Sequence, residues 1–324
     1  MTKMQTVLER FDRVLNWVIG EKHKNYALHH PQSMQRLEMQ SPLLQQFAKN
    51  HGYFSRQLPI VGCVSKGSAA TRILLDLLRT FPETTSLSAI SFATLELLAK
   101  ALAYRDLVEG ETVLLPVSSG MTTSLCSFRV DCIFNLWHGM PAIGLLPREK
   151  ESFSFLLFRG TDFSLFSKRS FASLLSDLDP RGPGYFVFQR TRGILRDWLK
   201  KTYQLGSPAR LVGYSLGGSL AAFTYIYEND LINREHPSMA FNPPGMSKKV
   251  LADGHALGQD KMNNFVLMIN RWDPISKVGK LFGRAYELSC GKTFSPIIAH
   301  TLLLSGEETI FIEEIDVAKE NHLR

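Results

Sequence analysis

The stretch Leu211-Val212-Gly213-Tyr214-Ser215-Leu216-Gly217-Gly218-Ser219-Leu220-Ala221-Ala222 constrains this chain more than any other. An apolar strand runs into Gly-x-Ser-x-Gly, and small residues then open a helix. Such a strand-turn-helix predicts that Ser215 sits in a strained backbone conformation at the end of the strand. Gly213 and Gly217 are needed because side chains there would collide as strand and helix close on each other. The start of the helix then aims free amides at the serine, where they can stabilise an oxyanion. An ordinary glycine turn is the competing reading.

A serine hydroxyl needs a base, and around such a turn the partners usually follow the nucleophile in the order acid, then histidine. Phe265 to Asn270 reads as a buried strand, and Arg271-Trp272-Asp273-Pro274 follows it, placing Asp273 in a loop at its carboxyl end. A turn-capping aspartate before proline is the alternative for Asp273. Only His300 and His322 come later in the chain; His236 and His255 precede the acid and break the order. His322 lies in a charged stretch expected to fray, so His300 is the candidate base. A satisfied core histidine competes with that role, because Ile297, Ile298 and Leu302 to Leu304 surround it in sequence.

A further anchor lies upstream, where the predicted strand Phe153 to Phe158 runs into Arg159-Gly160-Thr161-Asp162. Four motifs, Phe158-Arg159-Gly160-Thr161, Gly213 to Gly217, Phe241-Asn242-Pro243-Pro244-Gly245 and Asn270-Arg271-Trp272-Asp273-Pro274, together resemble the class 3 (fungal triacylglycerol type) lipases of the α/β-hydrolase superfamily. The likeness spans roughly residues 140 to 305. It implies Ser215 as nucleophile, Asp273 as orienting acid and His300 as base, with the amides of Thr161 and Leu216 as oxyanion donors. It also implies that Arg159 belongs to the scaffold, that Phe241 to Gly245 packs beside the site, and that a lid lies between Thr161 and Tyr185. There Phe163, Leu165, Phe166, Phe171, Leu174, Leu175 and Leu178 alternate with polar residues. A helix fixed on the sheet explains the same spacing.

The organisation agrees with an α/β protein. Helical periodicity runs over Met4 to Val18, around Gln35 to Lys49, over Ala69 to Thr80 and over Ser88 to Tyr104, so residues 1–110 read as a mainly helical region. The first of these helices is expected to pack on the body of the protein rather than on lipid. From 111 to 324 short apolar segments at 112–117, 124–137, 142–146, 153–158, 210–213, 265–270 and 285–290 alternate with helical ones at 193–205 and 218–227. Such alternation predicts a mostly parallel sheet flanked by helices, and the resemblance implies that it is of the α/β-hydrolase type. The change near residue 110 marks where a helical cap gives way to the sheet.

Composition closes off other classes. With 324 residues, 44% hydrophobic and 21% charged, the chain is a globular protein with ample core. No apolar run approaches the roughly 18 to 20 residues of a membrane-spanning helix. Charged Arg10, Asp12 and Arg13 occupy the place of a signal peptide's apolar segment, so a cytoplasmic location is expected. Cys63, Cys126, Cys132 and Cys290 form no Cys-x-x-Cys pair and read as mostly buried thiols. The net charge of +7 invites a nucleic-acid reading, but the basic residues cluster only in pairs and no binding motif accompanies them, so no nucleic-acid partner is expected. Arg271, Lys277, Lys280, Arg284 and Lys292 outnumber Asp273 and Glu287 locally. They suggest peripheral contact with anionic membrane through Lys277, Lys280 and Arg284 beside the lid.

These readings converge on a serine ester hydrolase for acyl lipids that needs no metal or organic cofactor. The alternative is a catalytically silent α/β-hydrolase that binds lipid or a partner protein.

Overall fold

The computed structural model describes residues 89–160, 179–289, 299–300 and 311–324, apart from short gaps at 101, 105–106, 120–121, 137–139 and 149–152. The helical patterns at 4–18, 35–49 and 69–80 lie outside them. Among the described residues nine strands form one sheet in sequence order: β1 (Thr112–Ser119), β2 (Thr122–Leu136), β3 (Met140–Pro147), β4 (Ser154–Phe158), β5 (Ala209–Tyr214), β6 (Ser238–Phe241), β7 (Phe265–Asn270), β8 (Arg284–Ser289) and β9 (Phe311–Ile315). The flanking helices are α1 (Ala89–Lys100), α2 (Tyr185–Gln204), α3 (Leu216–Glu228), α4 (Lys248–His255), α5 (Gln259–Asn263) and α6 (Val317–Leu323).

The sheet is mixed, where the sequence predicts a mostly parallel one. Strands β4 to β8 run parallel, whereas β1 to β4 and β8–β9 pair antiparallel. For β1 to β4 connection length is the reason: their links are far too short for the crossover of a dozen or more residues that a parallel pair requires. The central strands β4, β5, β6 and β7 are buried along their whole length, as strands covered on both faces must be. On one face Leu156, Phe158, Leu211, Ala240, Leu267 and Ile269 share a core with α2 and α3. On the other, α1 packs over β1, β4, β5 and β6.

Two elements differ from expectation for identifiable reasons. Helix α2 begins at Tyr185, eight residues before the predicted start at Gly193. Burial of Tyr185, Val187 and Phe188 outweighs the roughly 1 kcal/mol that an interior glycine costs a helix. Residues 317–323 form helix α6, capped by the Asp316 side chain on the Lys319 amide, so His322 stands on a helix and not in a frayed stretch. Cys126 and Cys132, both on β2, are half-buried rather than buried. Burial, with Glu109 and Asp131 nearby, pushes the Cys132 thiol up and keeps it from ionising.

Asp131 on β2 ties the antiparallel edge to α2. Its Oδ2 accepts from Trp198 Nε1 at 2.9 Å and from Lys201 Nζ at 2.7 Å, and its side chain is 5% exposed. Burial alone would raise this carboxyl; the hydrogen bonds from Lys201 and Trp198, with the charges of Lys201 and Arg129, outweigh it and hold the group below its ordinary value of 3.8. Asp131→Asn is therefore expected to lower stability by about 1–2 kcal/mol at neutral pH in urea denaturation. A depressed folded-state pKa adds stability above the ordinary value that is lost as pH falls through the folded one. Wild type and variant should accordingly converge in stability in acid.

Candidate active site

Strand β5 delivers Ser215 to the carboxyl end of the parallel strands, and α3 begins at the next residue. Ser215 has φ 55° and ψ −129°, a conformation that costs a non-glycine residue about 1–3 kcal/mol. It is held there by its amide, which donates to Phe241 O at 2.9 Å, and by its carbonyl, which accepts the Gly218 amide at 2.9 Å. A Cβ on Gly213 would lie 2.2 Å from Gly217 O, and one on Gly217 would lie 2.2 Å from Phe158 O. Both glycines are thus demanded by backbone approach, as the motif implied. The second contact also packs the end of β4 against the turn. Leu216 is the first residue of α3, so its amide is among those with no partner inside the helix.

His300 and Asp273 come to the same place. His300 Nε2 is 2.9 Å from Ser215 Oγ, and its Nδ1 is 3.0 Å from Asp273 Oδ1. The three residues are 3%, 3% and 0% exposed in the order Ser215, His300, Asp273. Asp273 Oδ1 also accepts the Ile275 amide at 3.0 Å, and Oδ2 accepts the Ser276 hydroxyl at 2.5 Å. Asp273 thus caps its own turn and also stands 3.0 Å from His300 Nδ1. The His300 ring packs on Tyr214, with centroids 5.0 Å apart and 33° between planes, so it is at once a packed core histidine and a neighbour of Ser215.

Two residues that hold this arrangement were not singled out from sequence. Asn242, in a left-handed conformation at φ 48°, donates from Nδ2 to the carbonyl of His300 at 2.7 Å, and its Oδ1 accepts the Asn270 amide at 2.8 Å. It links the histidine segment to the end of β7; in sequence it belongs to the Phe241–Gly245 motif expected beside the site, with no role of its own, and asparagine tolerates positive φ. Ser276 leaves no signal beyond lying three residues after Asp273. Behind the site, α1 places Lys100 Nζ 5.6 Å from the ring centres of both Tyr214 and Phe241. Its ammonium pairs with Glu96 at 2.7 Å, both side chains fully buried. Part of the helical region that sequence left unconnected thus backs the serine strand.

Other predicted residues fall elsewhere. Thr161, the lid at 163–178 and Lys292 lie outside the described residues. His236 packs on Phe153 at 4.7 Å between ring centres, and burial, then the Arg210 cation, pushes its pKa down. His255 closes α4 and His322 lies on α6. Four basic side chains of this stretch have partners, two of which linear counting misses. Arg271 bonds Glu287 and Glu313, Lys277 bonds Glu287, and Arg284 forms a two-pronged bond to Glu314. The Lys280 ammonium bonds the carbonyl of Asn321. Antiparallel pairing of β9 on β8 brings Glu313 beside Arg271 and Glu314 beside Arg284. Among the described residues no group of three or more His, Cys, Asp or Glu could hold a metal ion, and no helix is long and apolar enough to cross a membrane.

No protein-family model and no curated protein matches this chain. Among solved structures it is similar to a triacylglycerol lipase from Penicillium expansum, at 13% identity and a TM-score of 0.42, over 70% of this chain and 82% of that one.

Proposed function

We propose that this chain is a serine ester hydrolase that cleaves acyl esters of lipids through an acyl-enzyme intermediate. The observation that carries the reading is the contact series Ser215 Oγ, His300 Nε2, His300 Nδ1 and Asp273 Oδ1, at 2.9 Å and 3.0 Å, built on a serine of positive φ. Nothing in an ordinary core requires a buried serine at such a strained turn to face an imidazole backed by a buried carboxylate.

In this mechanism His300 Nε2 takes the Ser215 proton as Oγ attacks the ester carbonyl. Asp273 holds the imidazole through Nδ1 and stabilises its charged form. The oxyanion is met by the Leu216 amide at the start of α3 and by the amide of Thr161. Collapse expels the alcohol, which takes its proton from His300, and water repeats the sequence to release the acid. Lipid as the substrate class rests on the four-motif resemblance and on the apolar content of the 163–178 segment, not on the geometry of the three residues.

The test combines fluorophosphonate labelling with hydrolysis of chromogenic esters of increasing chain length and of phospholipid vesicles. Wild type should be labelled at Ser215 and should favour long-chain or vesicle substrates. Labelling with preference for short soluble esters would retain the hydrolase and remove the lipid assignment. Neither labelling nor turnover would identify the chain as a silent binding module.

A further inference from the structure

Helix α6 grips the loop that carries Asp273, although more than forty residues separate them in sequence. Arg324, at the end of this helix and with a side chain only 7% exposed, donates from Nη1 to the carbonyl of Ser276 at 2.5 Å and to that of Gly279 at 3.4 Å. Its Nε is held by Glu320 at 3.0 Å, one turn back on α6. Asn321 bonds both backbone groups of Leu281, accepting its amide at 2.7 Å and donating to its carbonyl at 2.8 Å. Lys280 reaches back to the Asn321 carbonyl. On its other side the same loop pairs with the backbone of Gly245 and Met246.

What makes this grip more than packing is where Ser276 sits. Its carbonyl takes the Arg324 guanidinium while its hydroxyl donates to Asp273 Oδ2. Ser276 is fully buried within the helical turn Ile275–Lys277, and carbonyls at the end of such a turn look outside it for donors. The guanidinium is a rigid, permanently charged fork, suited to fixing a carbonyl in one orientation. Contacts of 3.0 Å or less therefore run from Arg324 through Ser276, Asp273 and His300 to Ser215.

Resting on the hydrolase reading above, the geometry points to Ser276 and Arg324 as positioning residues for the catalytic acid, with α6 as a clasp that fixes the carboxylate relative to His300. Ser276 fixes Oδ2 directly, leaving Oδ1 to the imidazole, and Arg324 acts only through Ser276. Small displacements of a catalytic group are costly, on the order of 10²-fold in rate for about 1 Å. Loss of the Ser276 hydroxyl should therefore slow acylation by about 10- to 100-fold, and loss of the Arg324 donor by about 10-fold.

The experiment measures the second-order rate of fluorophosphonate labelling, and kcat and KM for a short p-nitrophenyl ester, in the full-length protein. The variants are Ser276→Ala, Arg324→Met, Arg324→Lys and the Ser276→Ala/Arg324→Met double. Asp131→Asn, which destabilises the far end of the sheet, controls for stability. The clasp predicts that Arg324→Met lowers labelling and kcat with KM unchanged, that Arg324→Lys restores most of the loss, and that Asp131→Asn leaves the rate alone. It further predicts that Arg324→Met adds less than about twofold once Ser276 is alanine, because its route to the acid is already cut. Wild-type labelling by Arg324→Met, a loss no larger than that of Asp131→Asn, or full multiplication of the two single effects would overturn the clasp while leaving the hydrolase intact. A wild type that neither labels nor turns over ester would overturn the hydrolase reading and the clasp with it.

Discussion

Ser215→Ala is expected to abolish fluorophosphonate labelling and to lower ester turnover by about 10⁴- to 10⁶-fold, while the melting temperature stays at or above that of wild type. The rate falls because no other group supplies the attacking oxygen; what remains is the smaller contribution of binding and of amides poised for the oxyanion. Stability does not fall, because the Ser215 side chain contributes one hydrogen bond to His300 and its backbone bonds survive the change. His300→Ala should be equally damaging, since nucleophile and base act as a unit. Asp273→Asn should be milder, at about 10⁴-fold, because the acid orients and stabilises without exchanging a proton. His322→Ala, on the outside of α6, should leave turnover unchanged. Full activity in Ser215→Ala, or inactivity of His322→Ala with His300→Ala active, would dismantle this assignment.

The second large effect is structural. Gly217→Ala puts a methyl group 2.2 Å from Phe158 O and 2.8 Å from the carbonyl carbon of Arg159, and Gly213→Ala puts one 2.2 Å from Gly217 O. These neighbours are backbone, so no rotamer change relieves the overlap; either β4 or α3 must move. Each variant should lose about 3 kcal/mol or more in urea denaturation and should label poorly even where it remains folded. Gly193→Ala is the informative contrast. Gly193 lies within α2 with nothing within 4 Å of its would-be Cβ, so alanine there should add about 1 kcal/mol of stability and leave labelling untouched. Equal tolerance at all three positions would mean that backbone approach does not govern the turn.

The legibility of the site divides along a physical line. Ser215 was readable because its requirements are local: an apolar strand, two glycines and a helix of small residues lie within a dozen positions. Asp273 and His300 were reachable because chain order is itself a constraint once the serine is placed. Asn242 and Ser276 were not, because each acts across the fold, on the carbonyl of His300 and on a carboxylate whose orientation sequence does not specify. The partners of the basic residues were hidden for the same reason. Arg271 and Arg284 bond Glu313 and Glu314, which become neighbours only when β9 pairs with β8.

By itself, then, the sequence determined the elements whose signals are short-ranged: the apolar strand β7, found at the predicted residues, the strand and turn around Ser215, and the alternation that makes this an α/β sheet. Tertiary structure alone decided that the sheet is mixed, that α2 continues through Gly193, that α1 seats a buried ion pair behind the serine strand, and that α6 closes on the acid loop. Local periodicity and sterics are written in neighbouring residues. Which surfaces meet is settled by the whole chain's burial of apolar area and pairing of polar groups, and no window of sequence contains that sum.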